Sequence, residues 1–216
     1  MSVDIENVTE ESLAALNPEQ LIRMVVVLHE ENKKLQTNVN ETVSKKYDER
    51  LERLEREVNK DKQYGRRDSI EIVGISPDVH DDNIENECIN ILKAAKVKVG
   101  NKFPSTLDIH AAHRKNRKGH VIIKFTNRKW AEGAMRNRAS LKDSNYANTF
   151  LNQSLCPEFA FLAFAVRKAK ASGQIDFWKL KHGIPMIKLT PDGDFVEISH
   201  ENDLVANGIT VPNRMN

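Results

Sequence analysis

The fold is decided by residues 118–125, KGHVIIKF, which form the clearest strand pattern in the sequence. Apolar residues recur at every second position, as they do in a strand with one buried face. Because side chains on a strand alternate between its two faces, one set is expected to face a core and the other to face outward. The inward set is Val121, Ile123 and Phe125, and the outward set is His120, Ile122 and Lys124.

Strand and helix patterns alternate on both sides of this stretch, between residues 66 and 151. The residue spacing predicts strands over 69–75, 108–114 and 146–151 and helices over 83–96 and 129–138. The resulting order, βαββαβ in about 85 residues, is that of a ferredoxin-like split domain. The whole chain is therefore predicted to be α+β.

The same order is the topology of the RNA-recognition motif, whose central strand has a consensus sequence. The Lys-Gly start at residues 118–119 and the closing Phe125 match that strand. The motif's stacking positions differ, because they hold His120 and Ile122 on this strand and Glu71 on the first one. Since stacking is worth about 1–3 kcal/mol per base, base recognition on this sheet is expected to be weak. Phosphate contacts are then expected to dominate.

Basic side chains are concentrated over residues 110–142, where ten basic residues accompany one acidic residue. Such an imbalance is typical of a protein that binds a polyanion, although a solvated charged face is the alternative. Binding of this kind is tolerant of sequence and falls steeply with salt. The residues predicted to contact phosphates are Arg114, Lys115, Arg117, Lys118, Lys124, Arg128, Lys129, Arg136, Arg138 and Lys142, with His120 beside them on the sheet.

Residues 19–64 contain neither proline nor glycine and are predicted to form one long helix, with Asn17 as its cap and Pro18 at its first position. Residues 1–18 are predicted to be a flexible N-terminus. Spacings of four and three indicate the a/d seam of a coiled coil. The seam comprises Leu21, Val25, Leu28, Asn32, Leu35, Val39 and Thr42, then, in a shifted phase, Tyr47, Leu51, Leu54 and Val58.

Self-association is the expected way to bury this narrow stripe, and the alternative is a helix that folds back on its own domain. Residues 50–55, RLERLE, resemble the R-h-x-x-h-E motif of three-stranded coiled coils. In that motif an arginine meets the glutamate of a neighbouring helix, and here the pair is Arg50 and Glu55. A homotrimer is therefore favoured over a dimer.

Residues 152–205 are predicted to form a smaller α+β domain, followed by a tail over 206–216. Its predicted elements are a helix over 157–171, a hairpin over 177–180 and 184–189, a strand over 195–198 and a terminal helix starting at Glu201. Pro185 cannot donate to a sheet ladder, so its strand is expected at a sheet edge or distorted. Trp130 and Trp178 are expected to be core residues rather than base-stacking residues.

The sequence favours neither an enzyme nor a metal site. It lacks a phosphate-binding loop, a nucleophile elbow and a dinucleotide-binding loop. His110 and His113 are predicted to face opposite sides of a strand, and no further ligand is near them. Cys88 and Cys156 do not form a metal or disulfide pattern, which fits a reducing compartment. We therefore expect no catalytic residue, no cofactor and no bound metal.

Apolar runs are short: the longest, Phe159 to Val166, has eight residues and is far below the about 20 residues that span a bilayer. The N-terminal residues are acidic and lack the apolar segment of a signal peptide. The sequence therefore predicts a soluble intracellular protein with no membrane insertion. A cytoplasmic location is favoured, and a nuclear one is left open.

Taken in order, these segments resemble the first-open-reading-frame (ORF1-like) protein of LINE-type non-LTR retrotransposons, over about residues 20–205. The shared layout is a coiled coil, then RRDSIEIVGI at residues 66–75, then the degenerate RNA-recognition strand. Further likeness to that family's C-terminal domain lies in NQSLCP at 152–157, AK at 169–170, GQIDFW at 173–178, GI at 183–184 and DL at 203–204. This region is equally similar to the C-terminal region of the baculovirus few-polyhedra (FP) protein, a viral relative of the same architecture.

The retrotransposon resemblance implies a homotrimer that coats single-stranded RNA into a ribonucleoprotein and acts as a nucleic-acid chaperone, with single-stranded DNA left open as a ligand. In such proteins basic side chains of the middle and C-terminal domains clamp the strand. Carried onto this chain, the added positions are Arg66, Arg67, Arg167, Lys168, Lys170, Lys179 and Lys181.

The chain departs from the retrotransposon family at Cys156, where members often have threonine, and at Pro185. Residues 151–216, which include its C-terminal domain, also carry equal numbers of basic and acidic residues. The few-polyhedra likeness supports a second hypothesis, a structural or trafficking factor that acts through protein contacts.

Overall fold

The computed structural model describes residues 17–116 and 119–214. It has a mixed α+β architecture, in which a long N-terminal helix precedes a region with two sheets. The chain divides into two compact units, one up to Leu54 and one from Glu55 onward. None of the described helices is long and apolar enough to cross a membrane.

Helix α1 spans Pro18–Tyr64 without interruption, which confirms the helix predicted over 19–64. Asn17 caps it as expected: its side-chain oxygen accepts the backbone N–H of Gln20 at 2.9 Å, and the Gln20 side chain accepts that of Asn17 at 3.1 Å. This reciprocal cap satisfies two donors at the start of the helix. The shift of phase near residues 43–47 does not break the helix, because no proline or glycine lies there.

Four strands and two helices follow α1 and form the central domain. They are β1 Ser69–Val73, α2 Ile84–Ala94, β2 Ile109–Asn116, β3 His120–Phe125, α3 Arg128–Asn137 and β4 Phe150–Gln153. The strands form one antiparallel sheet in the order β2-β3-β1-β4. The inward set Val121, Ile123 and Phe125 is confirmed, since these side chains are buried with residues of α2 and α3. Both helices therefore cover one face of the sheet.

Strand β4 begins at Phe150, so the strand start predicted at Tyr146 is wrong. Residues 145–148 form a turn, closed by a hydrogen bond of 2.8 Å from the Thr149 N–H to the Tyr146 carbonyl. The turn uses backbone groups that a ladder would need, so pairing with β1 starts only at Phe150, opposite Val73.

The C-terminal domain contains two helices and a second antiparallel sheet, ordered β5-β6-β7. Its elements are α4 Pro157–Ala171, β5 Phe177–Lys181, β6 Ile184–Lys188, β7 Val196–Glu197 and α5 Glu201–Ala206. Helix α4 packs Phe159 and Val166 against Ile187 and Leu204. Ile209 is buried in the same core, so this core extends past residue 205, where the predicted tail begins.

Pro185 lies in β6, the middle strand of this sheet, so the first of its two predicted alternatives, a sheet edge, is wrong. The Ile198 N–H donates to the Pro185 carbonyl at 2.9 Å, which shows that the backbone of Pro185 faces the β7 side. Strand β7 has only two residues, and these pair with Met186 and Ile187. The β6–β7 pairing therefore stops beside Pro185, where no N–H is required.

The last turns of α1 contact the C-terminal domain through polar side chains. Gln63 is only 3% exposed; its Oε1 accepts the Cys156 N–H at 2.9 Å and its Nε2 donates to the Ser154 carbonyl at 3.0 Å. Gly183 has a φ of +85°, and a Cβ there would lie 2.2 Å from Gln63 Nε2. Glycine is thus required at position 183 both by its backbone conformation and by this close approach.

Candidate nucleic-acid interface

The sheet face opposite α2 and α3 is built of cross-strand rows of side chains. Register places Phe150, Val73 and His120 in one row across β4, β1 and β3. The next row holds Asn152, Glu71, Ile122 and His113. The alternating burial of β3 confirms that His120, Ile122 and Lys124 face outward. This open face is a candidate binding surface.

A carboxylate lies at the centre of the open face. Glu71 Oε1 is 3.1 Å from both Lys115 Nζ and His120 Nδ1. Burial by itself raises the pKa of Glu71, but hydrogen bonds and charge from His120 and Lys115 outweigh it and hold that pKa below its usual value. Glu71 is therefore ionised at neutral pH and offsets part of the positive charge around it.

A cleft of about 690 Å³ separates this face from helix α4 and strand β5. Lys115 and Arg138 line it from the central domain, and Arg167 and Lys179 line it from the C-terminal domain. Glu71 is the single carboxylate among the described lining residues. Cations that converge on a groove from two domains are suited to hold a polyanionic backbone.

Two aromatic side chains of β5 border the cleft. Phe177 is 50% exposed. Trp178 is half-buried and packs against the C-terminal core, while the Arg167 guanidinium lies 5.8 Å from its ring centroid. Trp178 therefore belongs both to the core, as expected, and to the cleft wall. Trp130 is buried as expected, and its Nε1 donates to Asp108 at 3.0 Å.

A second hollow, of about 440 Å³, collects predicted basic residues away from the cleft. Four arginines line it, together with Glu132: Arg66, Arg67, Arg128 and Arg136. Arg66 also donates to Ser154 Oγ at 3.3 Å, and the Arg67 guanidinium lies 4.6 Å from the Tyr64 ring centroid. One part of the predicted basic set thus lines the cleft, and another part lines this hollow.

Arg114 is held inside the central domain rather than presented to a ligand. Its guanidinium donates to Asp81 Oδ1 at 3.0 Å and to the carbonyls of Ser76 and Val79 at 3.2 and 2.5 Å. Since neighbouring residues of a strand face opposite sides, Arg114 and Lys115 point to different faces of β2. We therefore assign Arg114 a structural role in fixing the loop after β1.

The other predicted basic residues lie at the surface in several settings. Lys124 Nζ is 3.9 Å from Asp68, Arg128 Nε is 3.2 Å from Glu132, and Lys170 donates to the Asp176 carbonyl. The Lys179 ammonium lies 3.6 Å from the Phe195 ring centroid. Lys129, Lys168 and Lys181 are exposed. Arg117 and Lys118 lie outside the described residues.

The predicted seam of α1 is exposed along its length. Leu21 is half-buried, and the other seam residues of the prediction are exposed: Val25, Leu28, Asn32, Leu35, Val39, Thr42, Tyr47, Leu51, Leu54 and Val58. Arg50 is also exposed. Glu55, its predicted partner across helices, is 3.1 Å from His200 Nε2 of its own chain.

The described residues contain no group of three or more histidine, cysteine, aspartate or glutamate side chains that could hold a metal ion. Cys88 and Cys156 are free thiols and both are buried. Burial raises the pKa of Cys88 to about 12, so its reactive thiolate is not populated at neutral pH.

Sequence reasoning missed Phe150 and Asn152 on the open face and Phe177 at the cleft. Counting backward by two from Asn152 places Phe150 on the outer face, but only once the strand is known to start there. No protein-family model matches the chain, and no curated protein matches it significantly.

Proposed function

We propose that this chain is a sequence-tolerant single-stranded RNA-binding protein whose cleft holds the sugar–phosphate backbone. The observation that carries the proposal is the convergence of four cations on one groove: Lys115, Arg138, Arg167 and Lys179. Backbone contacts of this kind supply affinity without sequence readout. Single-stranded DNA offers the same phosphates and is a second ligand to test.

The sheet order β2-β3-β1-β4 supports the assignment of the central domain to the RNA-recognition type. In domains of that type the face not covered by helices contacts RNA. Together with the likeness to the LINE family, this supports a chaperone that coats retrotransposon RNA into a ribonucleoprotein.

We further propose that α1 forms a three-stranded coiled coil. The exposed, heptad-spaced seam supports this assembly, because a single helix cannot bury such a stripe. Three linked clefts would bind one strand more tightly than a single cleft, since the second and third contacts become intramolecular.

A structural or trafficking factor is the second candidate, and one observation favours it. Several predicted phosphate ligands contact carboxylates of their own chain: Lys115 and His120 contact Glu71, Arg114 contacts Asp81, and Arg128 contacts Glu132. These pairs lower the net field of the basic surface. In this candidate the exposed seam serves protein assembly and the basic surface faces an acidic protein.

Binding of an unstructured RNA across a salt series separates the two candidates. The test variant K115Q/R138Q/R167Q/K179Q removes the four cleft cations and leaves Arg114 in place. Each lost phosphate contact removes about 0.7 from the slope of log affinity against log salt for a single strand. The variant is therefore expected to have a slope shallower by about 2 to 3 and a much weaker affinity at low salt.

The matched control, K93Q/K96Q/K98Q/K102Q, removes the same charge from exposed lysines that do not line the cleft. It is expected to retain most of the wild-type slope. Equal losses in both variants would show unspecific attraction rather than a cleft. A wild type that does not bind RNA at low salt would favour the structural factor.

A further inference from the structure

An aromatic ring stands on the open sheet face where none is needed for packing. Phe150 is 60% exposed, while its neighbour Leu151 is buried in the core on the opposite face. In its row, Val73 lies between Phe150 and the imidazole of His120. We propose that this row is a base-stacking platform for single-stranded nucleic acid, with Phe150 as its principal ring.

This inference rests on the proposed function and adds one requirement: the ligand must carry unpaired bases as well as phosphates. The proposed function needs only phosphates, whereas the platform needs unpaired bases that lie flat on a ring. Stacking is tolerant of sequence because every base has a π face. The platform would therefore select single strands that carry bases over other polyanions without adding sequence readout.

The charges around the platform favour bases over phosphates at this place. Glu71 is ionised and lies in the row next to Val73 and His120. Because Glu71 offsets part of the charge of Lys115, 3.1 Å away, a phosphate above the centre of the sheet would be held less firmly than one at its border. The backbone is therefore expected to run at the border of the sheet, with its bases turned inward onto the row.

Cations lie at that border. A hollow of about 270 Å³ beside Phe150 is lined by Arg138, Lys142 and Asn152. Arg138 and Asn152 also line the larger cleft, so the hollow and the cleft form one tract. A strand in this tract would place phosphates near Arg138 and Lys142 and pass on toward Phe177 on the far wall.

The dimensions of the row suit more than one base. Adjacent strands of a sheet lie about 4.8 Å apart, so Phe150 and His120, two strands apart, are separated by about 10 Å. Val73 provides an apolar floor between the two rings. Bases can thus lie side by side along the row.

The test compares a 12-nucleotide RNA with an abasic strand of the same length and charge, by fluorescence anisotropy at fixed salt. Loss of a base–aromatic stack weakens binding by about 5- to 150-fold. The wild type is expected to prefer the base-containing strand by at least about 10-fold. Phe150→Leu is expected to lose about 5- to 10-fold on that strand, with no change on the abasic strand or in the salt slope.

Two further variants keep the test sharp. Phe103 is another exposed ring; it contacts the Lys98 ammonium and lines neither the cleft nor the hollow. The control variant Phe103→Leu should therefore bind both strands like the wild type. Phe150→Trp keeps an aromatic face and should keep the preference for bases. Circular dichroism of Phe150→Leu verifies its fold; if it unfolds, Phe150→Ser serves as the loss variant.

The outcomes separate the platform from the proposed function. Equal binding of both strands by the wild type, or loss of the preference in Phe150→Trp, would overturn the platform and leave phosphate binding in the cleft intact. Failure of the wild type to bind either strand would overturn both.

Discussion

Helix α1 contains two stretches that differ in what their side chains contact. Over residues 18–54 the apolar seam is exposed, with Leu35 at 62% and Tyr47 at 68%. Over residues 55–64 the polar side chains of Arg56, Lys60 and Gln63 contact the C-terminal domain. The seam reaches the second stretch only at Val58, which is also exposed, so the contacts of this stretch are made by side chains outside the seam. Polar side chains with fixed partners tie the second stretch to its own chain.

The largest effect is expected from substitutions in the seam of the first stretch, which should abolish self-association. We expect the wild type to have a mass of about 74 kDa by light scattering, three times the chain mass of 24.6 kDa. Leu28→Asp with Leu35→Asp places charges at two apolar positions of the seam. Because each substitution is repeated in every helix, association should weaken by more than about 5 kcal/mol and leave a monomer.

The control for the seam is Thr37→Asp with Asn40→Asp, which adds the same charge at heptad positions outside the seam. It should stay as large as the wild type. A wild type that is already monomeric would contradict the proposal that the exposed stripe serves self-association.

The next effect tests the buried amide of the second stretch. Gln63→Leu leaves the Cys156 N–H and the Ser154 carbonyl without their partner in a buried place. Each of the two unsatisfied buried groups costs about 1–3 kcal/mol, so the free energy of unfolding should fall by about 2–6 kcal/mol in urea titrations. Lys62→Leu, at an exposed neighbouring position, should change it by less than about 0.5 kcal/mol. Equal losses of unfolding free energy in the two variants would show that the buried amide of Gln63 does not hold the second stretch to the C-terminal domain.

A smaller effect, dependent on pH, comes from the ion pair of Arg56 with Asp203. The guanidinium donates to both carboxylate oxygens at 2.7 Å. Burial raises the pKa of Asp203, but Arg56 and the N–H groups of Ser199 and His200 outweigh it and hold that pKa below the usual 3.8. The stabilisation is thus fully present above about pH 4 and is lost as the pH falls through the lowered folded value.

Asp203→Asn should therefore lower the free energy of unfolding by about 1–3 kcal/mol at pH 7. The difference from the wild type should shrink as both are titrated from pH 5 to pH 2. A difference that stays constant over this range would show that the charge of Asp203 does not stabilise the domain.

The smallest effect concerns Lys60 and Glu197, whose charged atoms are 2.7 Å apart at 47% and 41% side-chain exposure. Water and salt screen such a pair, so Lys60→Ala should change the free energy of unfolding by no more than about 0.5 kcal/mol. Added salt should reduce the change further. A loss above 1.5 kcal/mol would mean that this exposed pair holds the helix as firmly as Gln63 does.

The parts of the fold that the sequence predicts well are those set by local periodicity. Alternation over residues 121–125 predicts which side chains of β3 are buried, and the absence of proline and glycine predicts the continuity of α1. The place of Pro185 was not predictable, because it depends on how short β7 is and on which side of β6 it pairs. The place of β6 between β5 and β7 is set by strand pairing, which local periodicity does not reveal.

The candidate site was predictable in composition but not in arrangement. The basic cluster is evident from the sequence, yet Arg114 and Lys115 play different parts because one faces the loop after β1 and the other faces the cleft. Phe150 lies within the predicted strand, but Phe150 and Leu151 are both apolar, so the sequence does not decide which of the two faces outward. Gln63 and Arg56 were missed because their partners lie 91 to 147 residues away.

The contact of Gln63 with the C-terminal domain also sets an order of events during synthesis. The residues that surround its amide, from Ser154 to Gly183, leave the ribosome up to 120 residues after Gln63. At about 5–20 residues per second, that interval lasts roughly 6–24 s. Throughout it the complete helix is outside the ribosome without its own docking site. In the proposed trimer, the seam could therefore pair with helices of neighbouring nascent chains on the same messenger before each subunit is complete.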